Sequence, residues 1–191
     1  PRPATVTVAS ASLREFAYVM APSSNAPFMA VAKLQAANVP VYRTAGAGTF
    51  GPGTWVVPAT AESGQILSQV SRATGIEVRA LDRPLEGDVY RLKPHTRIGL
   101  WRGANVMPAG WLKWVFEQYG FNHKAIASTD FAGDLASQYD SIVLPDGTSR
   151  NTIVNGLSPD RNGKEWEWAY GVGEAGWNKL ADWVRGGGTL V

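Results

Sequence analysis

Cysteine is absent from the 191 residues, which removes disulfide frameworks, thiolate zinc sites and cysteine nucleophiles together. Histidine is nearly as scarce. His95 and His123 are the only two, and neither stands at helical spacing from the other or from a suitable carboxylate. A zinc hydrolase needs at least three well-spaced ligands and a base, so no metal site is expected. Long apolar runs are missing too: Trp55-Val56-Val57-Pro58-Ala59 falls far short of the ~20 residues of a membrane helix, and no membrane span is expected. Charge of one sign is not in excess, with 18 basic and 16 acidic residues. The densest basic stretch (Arg79, Arg83, Arg91, Lys93, Arg97, Arg102) is diluted by Asp82, Glu86 and Asp88. It has no groove-reading or stacking element beside it, so no nucleic-acid partner is expected.

What remains is an ordinary globular composition, 45% hydrophobic and 18% charged, long enough for one domain or two small ones. The sequence starts at Pro1 and stops at Thr189-Leu190-Val191, an apolar strand-like run just after Gly186-Gly187-Gly188. A half-finished strand leaves ladder groups without neighbours, which predicts a piece of a longer polypeptide.

Residues 1–14 read as an arm. Phe16–Met20 reads as a buried strand. Ser23, Ser24 and Asn25 offer caps for a helix carrying Phe28, Val31, Ala32 and Leu34. Strands are expected at Val39–Arg43 and Gly53–Val57, joined by a Gly-rich turn. A helix with Ile66, Leu67, Val70 and Ala73 inward follows, with Gly75 as its stop and Glu77–Ala80 as a strand. Residues 81–96 mix Pro, Gly and charge and read as a connection. The second half opens with the strand Arg97–Trp101. Trp111, Leu112, Val115 and Tyr119 recur at helical spacing and predict the inner face of a helix ending at Gly120. Strands at Lys124–Ala127 and Ser141–Pro145 come next, then an irregular stretch from about Asp146 to Val172. A helix with Trp177, Leu180, Ala181 and Val184 inward precedes the final strand. Alternating strands and helices predict α/β architecture with parallel strands. The expected division is a small α/β unit at 1–94 and a second α/β unit at 95–191.

Four features invite a functional reading. Gly46-Ala47-Gly48-Thr49-Phe50-Gly51 matches a dinucleotide fingerprint, but a β-rich run follows where the phosphate needs a helix N-terminus. A Gly-rich hairpin is the better reading. Glu165 and Glu167, with Asp160 nearby, supply a carboxylate pair of the kind glycosidases use, and exposed loop carboxylates of this kind are ordinarily just solvated. Trp111, Trp114, Trp177 and Trp183 lie on predicted helices and read as core. Trp166, Trp168 and Tyr170 lie in the long irregular stretch, where aromatic rings either meet a sugar, a peptide or a partner domain or fold back with the loop onto its own sheet. Asp146-Gly147 closes a central strand, where α/β folds bind ligands, and equally forms a tight turn. The candidate binding residues are therefore Asp146, Gly147, Trp166, Trp168 and Tyr170, with no catalytic and no metal-ligating residue.

Several phrases of the second half occur in a distinctive order: Arg97-Ile98-Gly99-Leu100-Trp101, Gly110 to Phe121, Asp140 to Asp146, Gly171-Val172-Gly173-Glu174, and Gly186 to Val191. Together with Phe50–Ala59, they make the chain from about Phe16 to Val191 resemble the C-terminal region of large bacterial zinc carboxypeptidases of the M14 type. In that family a peptidase domain precedes a domain like class I glutamine amidotransferases. The resemblance implies a three-layer, flavodoxin-like or amidotransferase-like second half and an exported protein. The family's His-x-x-Glu zinc pair and later His have no counterpart here. The amidotransferase nucleophile would follow a strand like Thr189–Val191, and no Cys is present.

The expectation is thus a non-catalytic accessory domain that supports packing or substrate positioning for a peptidase domain lying upstream in the same polypeptide. Zinc is expected only in that upstream domain, and this chain is expected to need no cofactor. A carbohydrate- or peptidoglycan-binding module using Trp166, Trp168 and Tyr170 is the alternative. A small flavodoxin-like enzyme is a further one, for which no phosphate- or flavin-binding loop is found.

Overall fold

The computed structural model describes residues 16–46, 50–82, 85, 87–104 and 106–191. The chain divides into two compact units that meet in sequence at His95 and Thr96. The N-terminal arm and Ala47-Gly48-Thr49 of the glycine motif lie outside the described residues.

The first unit is built from β1 (Ala17–Met20), α1 (Ala26–Ala36), β2 (Tyr42–Thr44), β3 (Trp55–Pro58), α2 (Ala61–Thr74), β4 (Arg79–Ala80) and β5 (Val89–Arg91). Its sheet runs β4-β1-β3-β2-β5, and every neighbouring pair is antiparallel. The expectation of parallel strands is corrected here. β2 and β3 form a hairpin, and β3 returns between β2 and β1, so the strands joined by α1 are never neighbours. The hairpin is tied at its base: Thr44 Oγ1 donates to the Gly51 carbonyl at 2.6 Å, and Thr54 Oγ1 donates to that of Phe50 at 2.7 Å. β5 falls inside the presumed connection 81–96, with Leu85 and Val89 buried against Ala17, Val19 and Val56. Too few apolar residues lie between its charges for a periodic signal.

The other face of this sheet packs the helices. Met20, Trp55 and Val57 meet Val31 and Leu34 of α1 and Leu67 and Val70 of α2. The start of α2 is fixed by a reciprocal cap between Thr60 and Ser63, and its end by Gly75 at φ 74°. Asn25 stands at the start of α1, but its side chain caps nothing.

The second unit contains β6 (Ile98–Trp101), α3 (Val106–Tyr119), β7 (His123–Ile126), α4 (Leu135–Gln138), β8 (Ser141–Val143), α5 (Arg150–Asn155), α6 (Gly173–Arg185) and β9 (Thr189–Leu190). Two 3-10 segments, Ser128–Ala132 and Lys164–Ala169, add to these. The sheet order is β7-β6-β8-β9 and all pairs are parallel. Trp101, Ile126 and Ile142 project from one face into a core with Phe131, Leu135, Ile153, Leu180 and Trp183. Two ion pairs brace this sheet, one at the amino ends of β6 and β8 and one between β7 and the 3-10 segment that follows it. Arg97 grips Asp140 at 2.6 Å, and Lys124 grips Asp130 at 2.8 Å. The Lys124 pKa is raised, first by Asp130 and then by the neighbouring Tyr139 hydroxyl. A raised ammonium pKa stabilises the fold below the free-lysine value near 10.4 and loses that contribution as pH climbs through the folded value. Lys124→Met is therefore expected to lower stability at pH 7 and to narrow its gap to the parent chain as pH climbs past the free-lysine value and through the raised one, as followed by urea midpoints across pH.

Three helix expectations are corrected. Residues 146–172 are not irregular throughout, because α5 and the second 3-10 segment lie within them. On α6 the buried row is Gly176, Leu180 and Trp183, while Val184 faces out. Trp183 is anchored by its indole N–H, which donates to the Tyr139 carbonyl at 3.3 Å. On α3 the predicted inner face is largely an outer one. Ala109 is its buried residue, whereas Met107, Trp111 and Trp114 are 71%, 64% and 52% exposed, and Val115 is exposed as well. An apolar stripe marks the core side only when the opposite side is polar, and α3 is apolar nearly all round.

Candidate binding site at the carboxyl edge of the parallel sheet

In the second unit, β6 leads to β7 on one side of it and β7 then leads to β8 on the other. The strand order reverses at β6, and open α/β sheets hold ligands outside the carboxyl ends of the strands at such a reversal, here those of β6 and β8. Four segments converge on that edge: Arg102 after β6, Ser128 after β7, Asp146-Gly147 after β8, and the 3-10 segment Lys164–Ala169.

The aromatic segment is held over the edge by specific contacts. The Arg102 guanidinium lies 3.8 Å from the centre of the Trp168 ring. Ser128 Oγ donates to the Glu167 carbonyl at 2.8 Å. Trp166 lies against Trp168, ring centres 5.7 Å apart and planes tilted by 37°, and keeps 44% of its surface exposed. Tyr170 braces the loop, its single hydroxyl proton shared between the carbonyls of Asn162 and Gly163, each at 2.9 Å.

The base of the loop is pinched shut by two glycines. Gly156 and Leu157 both bridge to Tyr170. Gly156 adopts φ 49°, ψ −145°, a region that essentially only glycine occupies. A Cβ on Gly171 would stand 2.5 Å from the carbonyl carbon and oxygen of Asn155, and nearer still to the Val154 oxygen. The aromatic platform therefore stands on a closed, hydrogen-bonded Ω-shaped loop whose two ends touch.

Of the five candidate residues, Trp166 and Trp168 come together, and Tyr170 supports them. Asp146 and Gly147 follow β8 at the same sheet edge. They form the turn Pro145–Thr148, closed by the Thr148 N–H donating to the Pro145 carbonyl at 3.1 Å, with Gly147 at φ 76°. That conformation accounts for the glycine by itself. Arg102 and Ser128 were not singled out from the sequence. For Arg102 the signal was available, because it directly follows a buried strand.

The other candidates separate from this site. His95 donates through Nε2–H to Asn38 Oδ1 at 2.8 Å, and His123 donates through Nδ1–H to the Phe121 carbonyl at 3.1 Å. Asp160, Glu165 and Glu167 are exposed. Among the described residues no three His, Cys, Asp or Glu side chains are grouped so as to hold a metal ion. No described helix is long and apolar enough to cross a membrane. No known family model matches the chain, and no curated protein matches it. What the edge offers chemically is a stacked cation and a half-exposed indole face.

Proposed function

We propose that the chain is a non-catalytic accessory domain of an exported, zinc carboxypeptidase-like protein of the M14 type, and that it packs against the peptidase domain encoded upstream. In this reading the second unit is the three-layer, amidotransferase-like half. Right-handed crossovers put α3 on the opposite side of the sheet from α6, since β6→β7 and β8→β9 step in opposite directions. Zinc belongs to the upstream domain alone.

The observation that carries the proposal is the outer face of α3. Parallel sheets are normally covered on both faces, and a helix apolar all round is normally buried. Yet Met107, Trp111 and Trp114 stand more than half exposed. Their surface is on the order of 400 Å² if each indole spans about 250 Å². That matches the apolar heart of an interdomain contact of about 600–1,500 Å². The charges on this helix neutralise each other, Lys113 lying 3.7 Å from Glu117, so desolvating the face leaves no orphan ion.

Trp111→Ser with Trp114→Ser is expected to change the stability of this chain alone by less than about 1 kcal/mol, because both rings are exposed. In a polypeptide extended upstream through the peptidase domain, the same pair is expected to lower Tm by several degrees. Equal effects in both settings would contradict the proposal, as would stoichiometric zinc and release of C-terminal residues by this chain alone.

A further inference from the structure

We infer that the carboxyl edge of the second unit is a carboxylate-binding site, with Arg102 as the anion receptor and the exposed face of Trp166 as the seat for an apolar or ring-shaped portion of the same ligand. The inference is independent of α3 and of its partner.

Three features argue for it together. Arg102 is exposed, and among the described residues no carboxylate pairs with it. It stacks on Trp168 at 3.8 Å, which contrasts with Arg97, Arg150 and Arg185, each within 2.7 Å of a carboxylate. Stacking uses the flat face of a guanidinium and leaves its in-plane N–H fork free, the geometry that receives a carboxylate through two parallel hydrogen bonds. Trp168 has one face taken by the arginine, so the open ring beside it is Trp166, and the 37° tilt between them makes a shallow wedge next to the cation.

The platform is also pre-organised. Tyr170, Ser128 and the Gly156–Gly171 pinch fix the loop before any ligand arrives, which lowers the ordering cost of binding. Its position at the strand-order reversal is where this kind of sheet places ligands. A carboxylate fits better than a phosphate dianion: the stacked Arg102 offers one guanidinium fork, which matches the two oxygens and single charge of a carboxylate.

The test is saturation binding to the full 191-residue chain, read by tryptophan fluorescence, with four probes: N-acetyl-phenylalanine, its C-terminal amide, glucuronic acid and methyl glucoside. Saturable quenching by an acid, with the matching neutral probe about tenfold or more weaker, is expected. The acid that prevails tells whether the natural source is a peptide terminus or an acidic sugar. Arg102→Met keeps an apolar stem on Trp168 but removes the fork, and it is expected to abolish the preference for acids while leaving near-UV circular dichroism unchanged. Trp166→Ala is expected to weaken the acid about tenfold. Equal binding of acid and neutral probes, no saturable response to either acid, or unchanged affinity in Arg102→Met would each overturn the inference.

Discussion

Ile142→Ala is expected to cost the second unit about 2–5 kcal/mol, a large part of the 5–15 kcal/mol that typically holds a domain together. Ile142 is fully buried in the middle of β8, paired with Gly99 of β6 on one side and Leu190 of β9 on the other. Its side chain enters the core shared with Trp101, Ile126, Leu180 and Trp183. Neighbours fixed in a strand ladder cannot collapse into the space left by three missing carbons, so most of the cavity persists. Urea titration followed by tryptophan emission should show a lower midpoint with an unchanged slope. A loss below about 1 kcal/mol would mean that β8 is not the centre of a packed sheet.

Gly171→Ala is the second large effect, and it acts on the binding edge. The added methyl group would collide with backbone atoms of Val154 and Asn155, and no rotamer change relieves a clash with backbone. The loop base must open, at roughly 1–3 kcal/mol. The bonds lost with it are Leu157 N–H to the Ala169 carbonyl at 2.9 Å and Val172 N–H to the Ile153 carbonyl at 3.0 Å. Amide exchange at Leu157 and Val172 should accelerate, proteolysis within 158–169 should appear, and the stack of Arg102 on Trp168 should weaken. The amides of β1 and β3 in the other unit should exchange as before. Unaltered exchange at Leu157 and Val172 would show that the glycine pair does not close the loop.

The strongly periodic parts of the fold were legible. α2 alternates its faces clearly and carries a polar cap at one end and Gly75 at the other. The short apolar strands β1, β3, β6 and β8 lie close to where their runs of Val, Ile, Leu and Trp predict them. Direction of pairing was not legible. A helix between two strands suggests parallel neighbours, and only the tertiary fold reveals that β3 is inserted between β1 and β2. β5 was hidden because Val89-Tyr90-Arg91 is too short to show a period. The face of α3 was misjudged because Val106, Met107, Trp111, Leu112, Trp114, Val115 and Phe116 surround it, and hydrophobicity cannot distinguish a core from a docking surface.

At the binding edge the tryptophans were found through the length of the stretch that carries them. Arg102 was passed over because a cation in a basic stretch looks solvated until its stacking partner, sixty-six residues away, is brought to it. Tyr170 was chosen for its ring, whereas its structural role lies in its hydroxyl.

The most direct measurement is hydroxyl-radical footprinting of Met107, Trp111 and Trp114 in this chain alone and in the polypeptide extended upstream through the proposed peptidase domain. An accessory domain docked by α3 predicts heavy labelling of all three in the isolated chain and a several-fold reduction in the longer one. Labelling that stays the same, or protection already present in the isolated chain because two copies pair through α3, would contradict it.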